Sequence, residues 1–459
     1  MVAKLKIAVI GAGSIAWSSK IIHDLLHTPT LFGSEVALVD IDARRLKLVE
    51  GFARRYASEL GADYKFYSTA DRREAVRDAD FVVNTAMYGG HGYYEKMREV
   101  SERHGYYRGV NSTEWNMVSD YHTIWGYYQF KLALEVALDV EQYAPNAWLL
   151  QVANPVFELT TLISRETRVN VIGLCHGHLG YKEIARALGY DPEKVEFEAI
   201  GFNHVIWLTK LTYAGRNLYP LIDEWIERKA QEYWARWRLT QRDPFDIQMS
   251  PAAVDMYRRY GLFPVGDTVR GGTWMYHRDL KTKQQWFGPT GGPDSEVGWM
   301  VYLARHEWYS SLLEKIASDP GVPISSFFPQ TRTDESLVPI INSIANDQPA
   351  TYQVNVPNTG AIDGLPGDVA VEIPAEVSGK GVKRPQGLKL PGKILKAVLW
   401  PRMLRMEMAL TAFLEGGRQI LIDWLMLDPR TKSEKQAEEV WDAILSMPEN
   451  EEMARHYRG

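Results

Sequence analysis

The sequence predicts an α/β protein in which a doubly wound parallel sheet is followed by a mixed α+β C-terminal domain. Three observations lead to this prediction. A continuous apolar run at residues 5–10 is followed at once by a glycine-rich turn, as in a buried parallel strand that leads into a helix. Strand-like and helix-like segments then alternate, which is the pattern of β-α-β units. After about residue 182 the pattern changes, and we therefore predict two domains, at residues 1–194 and 195–459.

The turn after the first strand has the form G-x-G-x-x-A. Gly11 allows the tight turn and Gly13 lets the backbone approach a pyrophosphate, while the following helix points its free N–H groups at the phosphates. A second predicted strand ends in Asp40, whose carboxylate would accept hydrogen bonds from the adenosine ribose. This order of elements predicts a Rossmann-like domain, similar to that of lactate and malate dehydrogenases, with NAD as cofactor. Arg44 and Arg45 follow closely and weaken the preference for NAD over NADP. The residues predicted to bind the cofactor are Gly11, Gly13, Ser14, Ile15, Asp40 and Asn84.

The remaining strands of the first domain are predicted to end at one edge of the sheet. Helices are predicted at about residues 16–27, 43–60 and 127–143, and strands at about residues 64–67, 80–86, 148–153 and 169–174. Asn84, Asn154 and Cys175 lie at or just after the ends of three of these strands. Because ligands in such folds bind outside the carboxyl ends of the strands, we expect these three residues to converge on one site.

The predicted second domain has a different pattern of polar and apolar residues. Residues 195–200 and 201–208 alternate in polarity, which predicts an antiparallel pair of strands that is half exposed to solvent. Downstream we predict a mostly helical region at about residues 218–318 with a glycine-rich loop at 264–272, strands at about 352–357 and 368–374, and helices from about 401 to 447.

Composition and charge exclude some classes of partner. The chain has 45% hydrophobic and 24% charged residues and a formal net charge of -6, so nothing indicates nucleic acid as a partner. No run reaches the roughly 18 apolar residues that a membrane span needs. The single cysteine excludes an intramolecular disulfide and fits a reducing compartment, and we expect a cytoplasmic protein. The 15 Trp and 24 Tyr residues fit either core packing or aromatic platforms for sugar rings.

The candidate metal ligands are Cys175 and His204, each at the end of a predicted strand. A thiolate with an imidazole suits zinc, iron or manganese equally well. The alternative is that the cysteine is only a small core residue. His176 follows the cysteine directly, and its role stays open between packing and chemistry; for His178 we favour packing.

Two aspartates also have more than one interpretation. Asp267 lies between Gly266 and Thr268, where an aspartate serves either to form a turn or to act as a general base. Asp120 precedes a predicted helix, where it either caps that helix or takes part in a site.

Several motifs, in order along nearly the whole chain, resemble family 4 glycoside hydrolases, especially their thermophilic α-glucosidase branch. They are GAGSIA near the N-terminus, NTAMYGGH at 84–91, NMVSDYHT at 116–123, ANP at 153–155, CHGH at 175–178, GFNH at 201–204, GDTVR at 266–270, and VPNTG with VEIP at 356–374. This family is the NAD-dependent exception among glycosidases. The resemblance therefore implies an NAD- and metal-dependent glycosidase.

The resemblance also implies roles for individual residues. Cys175 and His204 match the two protein ligands of a divalent ion, usually manganese, and Asp267 matches the base at carbon 2 of the sugar. His176 stands at the position of the general acid. The resemblance places Asn154, Asp120 and Arg98 in the substrate pocket. Arg270 is added as a residue that would pair with the carboxylate of a uronide substrate.

The family mechanism implies hydrolysis of α-glucosides, and also α-galactosides, through oxidation at carbon 3, deprotonation at carbon 2, elimination and addition of water. A homodimer or homotetramer is expected from the same resemblance. One alternative is an α-glucuronidase or α-galacturonidase, in which Arg270 or Arg98 would pair with the substrate carboxylate. A plain NAD-dependent dehydrogenase of the 2-hydroxy acid type and a sugar-binding protein without turnover are the alternatives from other classes.

Overall fold

The computed structural model describes residues 4–110, 126–271 and 274–458, and its centre is a single sheet of 13 strands. The strands are β1 (Lys6–Ile10), β2 (Ser34–Val39), β3 (Tyr64–Thr69), β4 (Phe81–Asn84), β5 (Trp148–Gln151), β6 (Asn170–Gly173), β7 (Val195–Phe202), β8 (Val205–Tyr213), β9 (Arg216–Asn217), β10 (Phe263–Val265), β11 (Ala350–Pro357), β12 (Ala370–Ser378) and β13 (Gly381–Lys383).

Helices flank this sheet throughout the described ranges. They are α1 (Ile15–Leu26), α2 (Ala43–Leu60), α3 (Arg72–Val76), α4 (Gly90–Arg103), α5 (Tyr127–Tyr143), α6 (Val156–Glu166), α7 (Tyr181–Leu188), α8 (Tyr219–Arg228), α9 (Ala230–Thr240), α10 (Pro251–Tyr260), α11 (Leu280–Phe287), α12 (Glu296–Ser318), α13 (Leu337–Ala345), α14 (Trp400–Glu415), α15 (Arg418–Met426), α16 (Glu434–Leu445) and α17 (Glu451–Arg458). Short helical turns, among them a π-helical segment at Leu395–Leu399, connect some of these elements.

The first six strands form the predicted doubly wound sheet. Their order is β3-β2-β1-β4-β5-β6, and every neighbouring pair is parallel. The order of strands reverses between β1 and β4, and a ligand crevice forms at such a switch point. We call the edge of the sheet at the carboxyl ends of β1, β4, β5 and β6 the rim. The predicted fold class is therefore confirmed, and the site is expected at this rim.

Local sequence explains why these elements form where they do. The last four residues of β1 are buried, as a central parallel strand requires. Asp42 is the N-cap of α2, and its carboxylate accepts hydrogen bonds from the backbone N–H groups of Arg44 and Arg45; Gly61, in the left-handed conformation, is the C-cap. The strand and helix bounds lie within a few residues of those predicted from the sequence pattern.

The second half of the chain extends the same sheet. β11 pairs antiparallel with β6 through Asn355 and Gly173, and β12 pairs with β7 through Glu372 and Gly201. β8 and β10 then complete the far side. The hydrogen-bonded sheet thus runs across the predicted domain boundary at residues 194 and 195, which stays a prediction.

The pairing of β7 with β8 is antiparallel, as predicted, but the predicted half-exposure is wrong for its inner part. Ala199, Phe202, Val205 and Leu208 are all at most 3% exposed. Consecutive residues 199–202 and 205–208 are all buried, so both faces of the inner part of the pair are covered. Only the outer ends of the pair, away from the turn, reach solvent.

No helix in the described ranges combines the length and the apolar character that crossing a bilayer requires.

Candidate functional site

The glycine-rich turn after β1 forms a cradle at the rim. Gly11 has φ +88°, and a Cβ atom there would lie 2.7 Å from Cα of Ala86, so only glycine fits. Asp40 Oδ2 accepts a hydrogen bond from the backbone N–H of Gly13 at 2.8 Å. A Cβ atom on Gly13 would lie 2.6 Å from that carboxylate. A hydrogen bond therefore joins the first turn to the acid at the end of β2, and the contact of Asp40 with an adenosine ribose stays a prediction.

The other predicted cofactor residues take different positions around this cradle. Ser14 is the N-cap of α1, and Ile15, the first residue of this helix, is buried at 4% exposure. Asn84 is fully buried at the end of β4, where it donates to Gln151 Oε1 at 3.0 Å and accepts from the N–H of Ala86 at 3.2 Å. The side chain of Asn84 thus holds the turn at the rim, and its contact with the cofactor stays a prediction.

Three potential metal ligands converge at the next part of the rim. One ligand atom from each of Cys175, His204 and Asp267 lies within 4.8 Å of the other two. The Sγ atom of Cys175 is 3.5 Å from Nε2 of His204, which is 3.2 Å from Oδ2 of Asp267. Two ligand atoms that lie about 2.0–2.3 Å from one ion, as in zinc sites, are about 3–3.6 Å apart at ordinary ligand angles. The two separations therefore fit a single ion, and we call this group the metal centre.

The sheet brings the first two ligands together. Cys175 follows β6, and His204 occupies the tight turn between β7 and β8 with φ +63°. Gly201 precedes this turn at φ +152°, where a Cβ atom would lie 2.1 Å from the carbonyl oxygen of Val205. The turn can thus form only because residue 201 is glycine.

Two loops in close backbone contact place the third ligand. A Cβ atom on Gly266 would lie 2.2 Å from the carbonyl oxygen of Gly177, so the loop of Cys175 and the loop of Asp267 touch at two glycines. The N–H of Ile206 in β8 donates to Oγ1 of Thr268 at 2.7 Å and ties the second loop to the sheet. The sequence pattern does not point to Thr268 or to these contacts, because they join segments that are distant in the chain.

Electrostatics keeps Asp267 ionised. Burial by itself would raise the pKa of this carboxyl group, but the positive charges of Arg270 and His204 outweigh burial and lower the pKa to about 2. Nε of Arg270 donates to Oδ1 of Asp267 at 3.0 Å, while its Nη1 donates to Asp294 at 2.9 Å. At neutral pH Asp267 is therefore a carboxylate that can accept a proton.

The thiol of Cys175 has the opposite tendency. Burial raises its pKa, and the negative charges of Glu372 and Asp267 raise it further. Forming the thiolate here requires a compensating positive charge. A divalent cation bound between Cys175 and His204 would supply that charge, whereas in its absence the raised pKa keeps the thiol neutral, as a packing role also requires.

His176 lies beside the metal centre but faces another group of residues. Its Nδ1 atom is 3.3 Å from Oε1 of Glu335, which is 3.7 Å from Nζ of Lys20. The ring stacks on Trp17 at a centroid distance of 6.3 Å. The hydrogen bond to Glu335 raises the pKa of His176, which favours the protonated form that a general acid needs. Sequence reasoning missed Glu335, since nothing in the local pattern around it points to a site.

His178 occupies a different environment. It is 7% exposed, and its ring stacks on Phe197 at 5.9 Å. Burial lowers its pKa to about 4, so the ring is neutral at physiological pH. These contacts agree with the packing role favoured from the sequence.

The predicted substrate residues are only partly brought together. Asn154 follows β5 at the rim, and Arg270 is buried behind Asp267. Arg98 lies on α4 and pairs with Glu95 at 3.0 Å and with Glu102 at 2.6 Å. It lines a cavity of about 820 Å³ whose described lining does not include the metal centre. Asp120 lies outside the described residues, and the substrate roles of all four stay predictions.

The fold and the site together define a class of protein with a dinucleotide-type cradle next to a potential metal centre. Comparison with known families identifies the class further. The family model described as "Family 4 glycosyl hydrolase" matches residues 6–190. The model of the C-terminal domain of the same family matches residues 199–431. The chain therefore belongs to family 4 of the glycosyl hydrolases and is a glycosidase.

Individual relatives match over almost the full length of the chain. An alpha-galactosidase of Rhizobium meliloti is 23% identical over 97% of this chain and 88% of its own length. An alpha-galacturonidase of Thermoanaerobacter italicus is 24% identical over 93% of this chain and 92% of its own length. The crystal structure of a 6-phospho-alpha-glucosidase from gut microorganisms, in complex with NAD and Mn²⁺, has a TM-score of 0.77 at 20% identity and covers 96% of this chain and 97% of that one. At this identity the structural match shows a shared fold.

Proposed function

We propose that the protein hydrolyses α-glucosides, and also α-galactosides, with NAD and a divalent cation such as Mn²⁺ as cofactors. One observation carries the proposal. Cys175, His204 and Asp267 converge beside a cradle of dinucleotide type, with His176 adjacent to them. The crystallised relative that was solved with NAD and Mn²⁺ supports the choice of cofactors.

The roles proposed for the residues come from the family resemblance, and their positions support them. When bound, NAD supplies reversible hydride transfer at carbon 3 of the sugar, and the cation supplies Lewis-acid polarisation of the sugar oxygens. Cys175 and His204 would hold the ion. Asp267 accepts the proton from carbon 2, and His176 donates a proton to the departing glycosidic oxygen. Water then adds back to the sugar, and because the hydride transfer that bound NAD would supply is reversible, the overall reaction would involve no net oxidation.

The surroundings of two arginines favour a neutral sugar over a uronide. Arg270 is 2% exposed and already pairs with Asp267 and Asp294. Arg98 likewise pairs with the carboxylates of α4. A substrate carboxylate would have to compete with these internal partners, which is costly for a buried ion pair.

A substrate panel tests this proposal. Nitrophenyl α- and β-glucosides, galactosides and glucuronides are assayed with and without NAD, Mn²⁺ and a thiol reductant. We expect turnover of α-glucosides and α-galactosides only when all three additions are present. Preferential cleavage of glucuronides would instead favour the uronidase alternative.

Isotope labelling tests the chemistry separately. Substrates deuterated at carbon 2 or carbon 3 are expected to react more slowly, and turnover in heavy water is expected to place deuterium at carbon 2. A product that carries no label from heavy water would contradict the elimination route.

The proposal includes a homodimer or homotetramer in the cytoplasm. Two large apolar side chains of α12, Met300 at 64% and Trp308 at 66% exposure, support an assembly that covers this helix. The lone cysteine at the metal centre supports a reducing compartment. Light scattering after size exclusion measures the mass, and a monomer at micromolar concentration would contradict the first part.

A further inference from the structure

We propose that Asp294 is a positioning residue for the catalytic base: it fixes the guanidinium group of Arg270, which in turn holds the carboxylate of Asp267. The proposal rests on the function proposed above, because it assumes that Asp267 accepts the proton from carbon 2. Asp294 lies in the loop between α11 and α12 and has no role in the chemistry described so far.

The side chain of Arg270 joins two carboxylates inside the protein. Nε and Nη2 of Arg270 both donate to Oδ1 of Asp267, the first at 3.0 Å. Nη1 of Arg270 lies 2.9 Å from Oδ1 and 3.0 Å from Oδ2 of Asp294. Arg270 is 2% exposed and Asp294 is 3% exposed. The three side chains thus form one hydrogen-bonded chain that ends at Asp267 in the metal centre.

The two oxygens of Asp267 have different surroundings. Oδ1 accepts the two hydrogen bonds from Arg270, whereas Oδ2 lies 3.2 Å from Nε2 of His204. Oδ2 therefore faces the potential metal ligands, and in the proposed reaction it is the oxygen that accepts the proton. Because Arg270 holds Oδ1, the plane of its guanidinium group sets the direction in which Oδ2 points.

The geometry of a guanidinium explains why a second carboxylate matters. The group is planar, and its N–H donors form a fixed fork. A fork that held only Asp267 could swing together with that carboxylate. A second carboxylate that is itself fixed sets the plane of the fork, and with it the orientation of Asp267. Such precision is valuable, since a misplacement of about 1 Å can cost a factor of about 10² in rate.

The backbone of Asp294 is held on two sides. Its carbonyl oxygen accepts hydrogen bonds from Nζ of Lys283 at 2.8 Å and from Nε of Arg108 at 3.2 Å. A Cβ atom on Gly298 would lie 1.8 Å from the carbonyl oxygen of Gly292, so the loop lies directly on the first turn of α12. These main-chain contacts would form with any residue at position 294, whereas the hydrogen bonds from Arg270 require its carboxylate.

The test compares the full-length wild-type protein with Asp294→Asn, both reduced and supplied with NAD and Mn²⁺. Asparagine offers one oxygen in place of two and turns an NH₂ group toward the guanidinium. The substrate is a nitrophenyl α-glucoside, either unlabelled or deuterated at carbon 2. The value of kcat is expressed per NAD-binding site, counted by fluorescence titration, so that unfolded protein does not contribute.

We expect kcat of Asp294→Asn to fall by about 10–10²-fold with little change in KM, because proton transfer and not binding is impaired. The isotope effect of deuterium at carbon 2 should be at least as large as in the wild type. A smaller fall in kcat would overturn the proposal, as would an isotope effect at carbon 2 below that of the wild type.

Two readouts do not depend on activity. In a crystal structure of Asp294→Asn without NAD or metal, we expect the carboxylate of Asp267 to move by more than about 0.5 Å, the precision that catalytic groups require. Binding of Co²⁺, a spectroscopic probe of the metal centre, should be as tight as in the wild type. An unmoved carboxylate would overturn the proposal, and so would a loss of Co²⁺ affinity parallel to the loss of kcat.

A matched control is available on α5. Asp139 is 5% exposed, and its carboxylate accepts hydrogen bonds from Nε of Arg72 at 2.6 Å and from Nε of Arg73 at 3.3 Å. Asp139→Asn makes the same chemical change at another buried carboxylate that pairs with arginine. We expect it to leave kcat per site and the isotope effect unchanged. An equal fall in both variants would overturn the proposal.

A double-mutant cycle tests the path through Arg270. Arg270→Lys keeps the positive charge but lacks the fork. If Asp294 acts through Arg270, Asp294→Asn lowers kcat little further in the Arg270→Lys protein, whereas a full additional fall would overturn the proposal. If Asp294→Asn does not fold, Asp294→Ser takes its place with the same expected and contradicting results.

The outcomes also separate this inference from the proposed function. A wild-type protein that shows no turnover, or no isotope effect from deuterium at carbon 2, contradicts the proposed role of Asp267 as a base. A wild-type isotope effect together with an unaltered kcat in Asp294→Asn contradicts only the role of Asp294.

Discussion

The two parts of the rim are built in different ways. The cofactor cradle comes from one local stretch, and the residues that join it, Gly13 and Asp40, are 27 positions apart. The metal centre takes its potential ligands from three loops. A hydrogen bond beside it joins Asn203 to Glu372, which are 169 positions apart. A cradle of the first kind is specified by a local pattern. A centre of the second kind exists only once β6, β7, β8 and β10 have assembled into the sheet. Substitutions in the two parts should therefore have separable effects on cofactor and on metal.

The largest difference between the effect on metal-dependent turnover and the effect on NAD binding is expected for Cys175→Ser. Removing the thiolate takes away one of two proposed protein ligands. Residues that only hydrogen-bond to a metal ligand already contribute a factor of about 10–100, so metal-dependent turnover should fall by more than this factor. Binding of NAD, measured by fluorescence titration, should stay within about twofold of wild type, since the cradle keeps all its contacts. Wild-type activity without any response to Mn²⁺ would contradict the ligand assignment.

Replacement of Asp267 decides between two roles that the geometry allows. Oδ2 of Asp267 is close enough to His204 to be a third ligand, whereas the family resemblance makes it the base. If it is the base, Asp267→Asn lowers kcat by about 10²–10⁴-fold and abolishes exchange at carbon 2. Metal affinity, measured by calorimetry, then stays nearly unchanged. A loss of metal affinity parallel to the loss of kcat would identify a ligand instead.

A substitution in the cradle should weaken the binding of NAD and leave the binding of metal unchanged. In Gly13→Ala the new Cβ atom would lie 2.6 Å from the carboxylate of Asp40, so we expect NAD to bind about tenfold more weakly. The affinity for Co²⁺ should not change. Gly51→Ala is the matched control, because a Cβ atom there meets no other atom within 4 Å. It lies within α2 and should stabilise the fold by about 0.5–1 kcal/mol, seen as a higher Tm, without affecting NAD.

The smallest effect is expected at the contact between His176 and Glu335. Glu335→Gln removes the negative charge that raises the pKa of His176. A general acid is lost as the pH rises through its pKa, so the alkaline fall of kcat should move to lower pH in the variant. At neutral pH we expect a decrease of about threefold to tenfold, the range of one hydrogen bond. Glu307→Gln, at an exposed position of α12, should leave the pH profile of kcat unchanged. An unshifted profile in Glu335→Gln would remove Glu335 from the site.

Much of the site was visible in the sequence because strand ends can be located from apolar runs. Cys175 and His204 follow or join strands whose periodicity is clear, and their convergence follows from the topology. Glu335 and Glu372 carry no such signal. Glu372 lies within an ordinary strand pattern, and its neighbours become known only when β12 pairs with β7 and β11.

The half-exposure expected for β7 and β8 shows a further limit. Alternation of residue types distinguishes the two faces of a strand, but it does not tell how many elements cover each face. The sequence by itself determined the doubly wound sheet, the glycine-rich cradle and the rim on which ligands meet, because each depends on short-range periodicity and turn chemistry. Only the tertiary structure decided that Asp267 reaches Cys175 and His204, and that His176 pairs with Glu335. These contacts depend on strand register and on close backbone approach between distant loops, which no local pattern encodes.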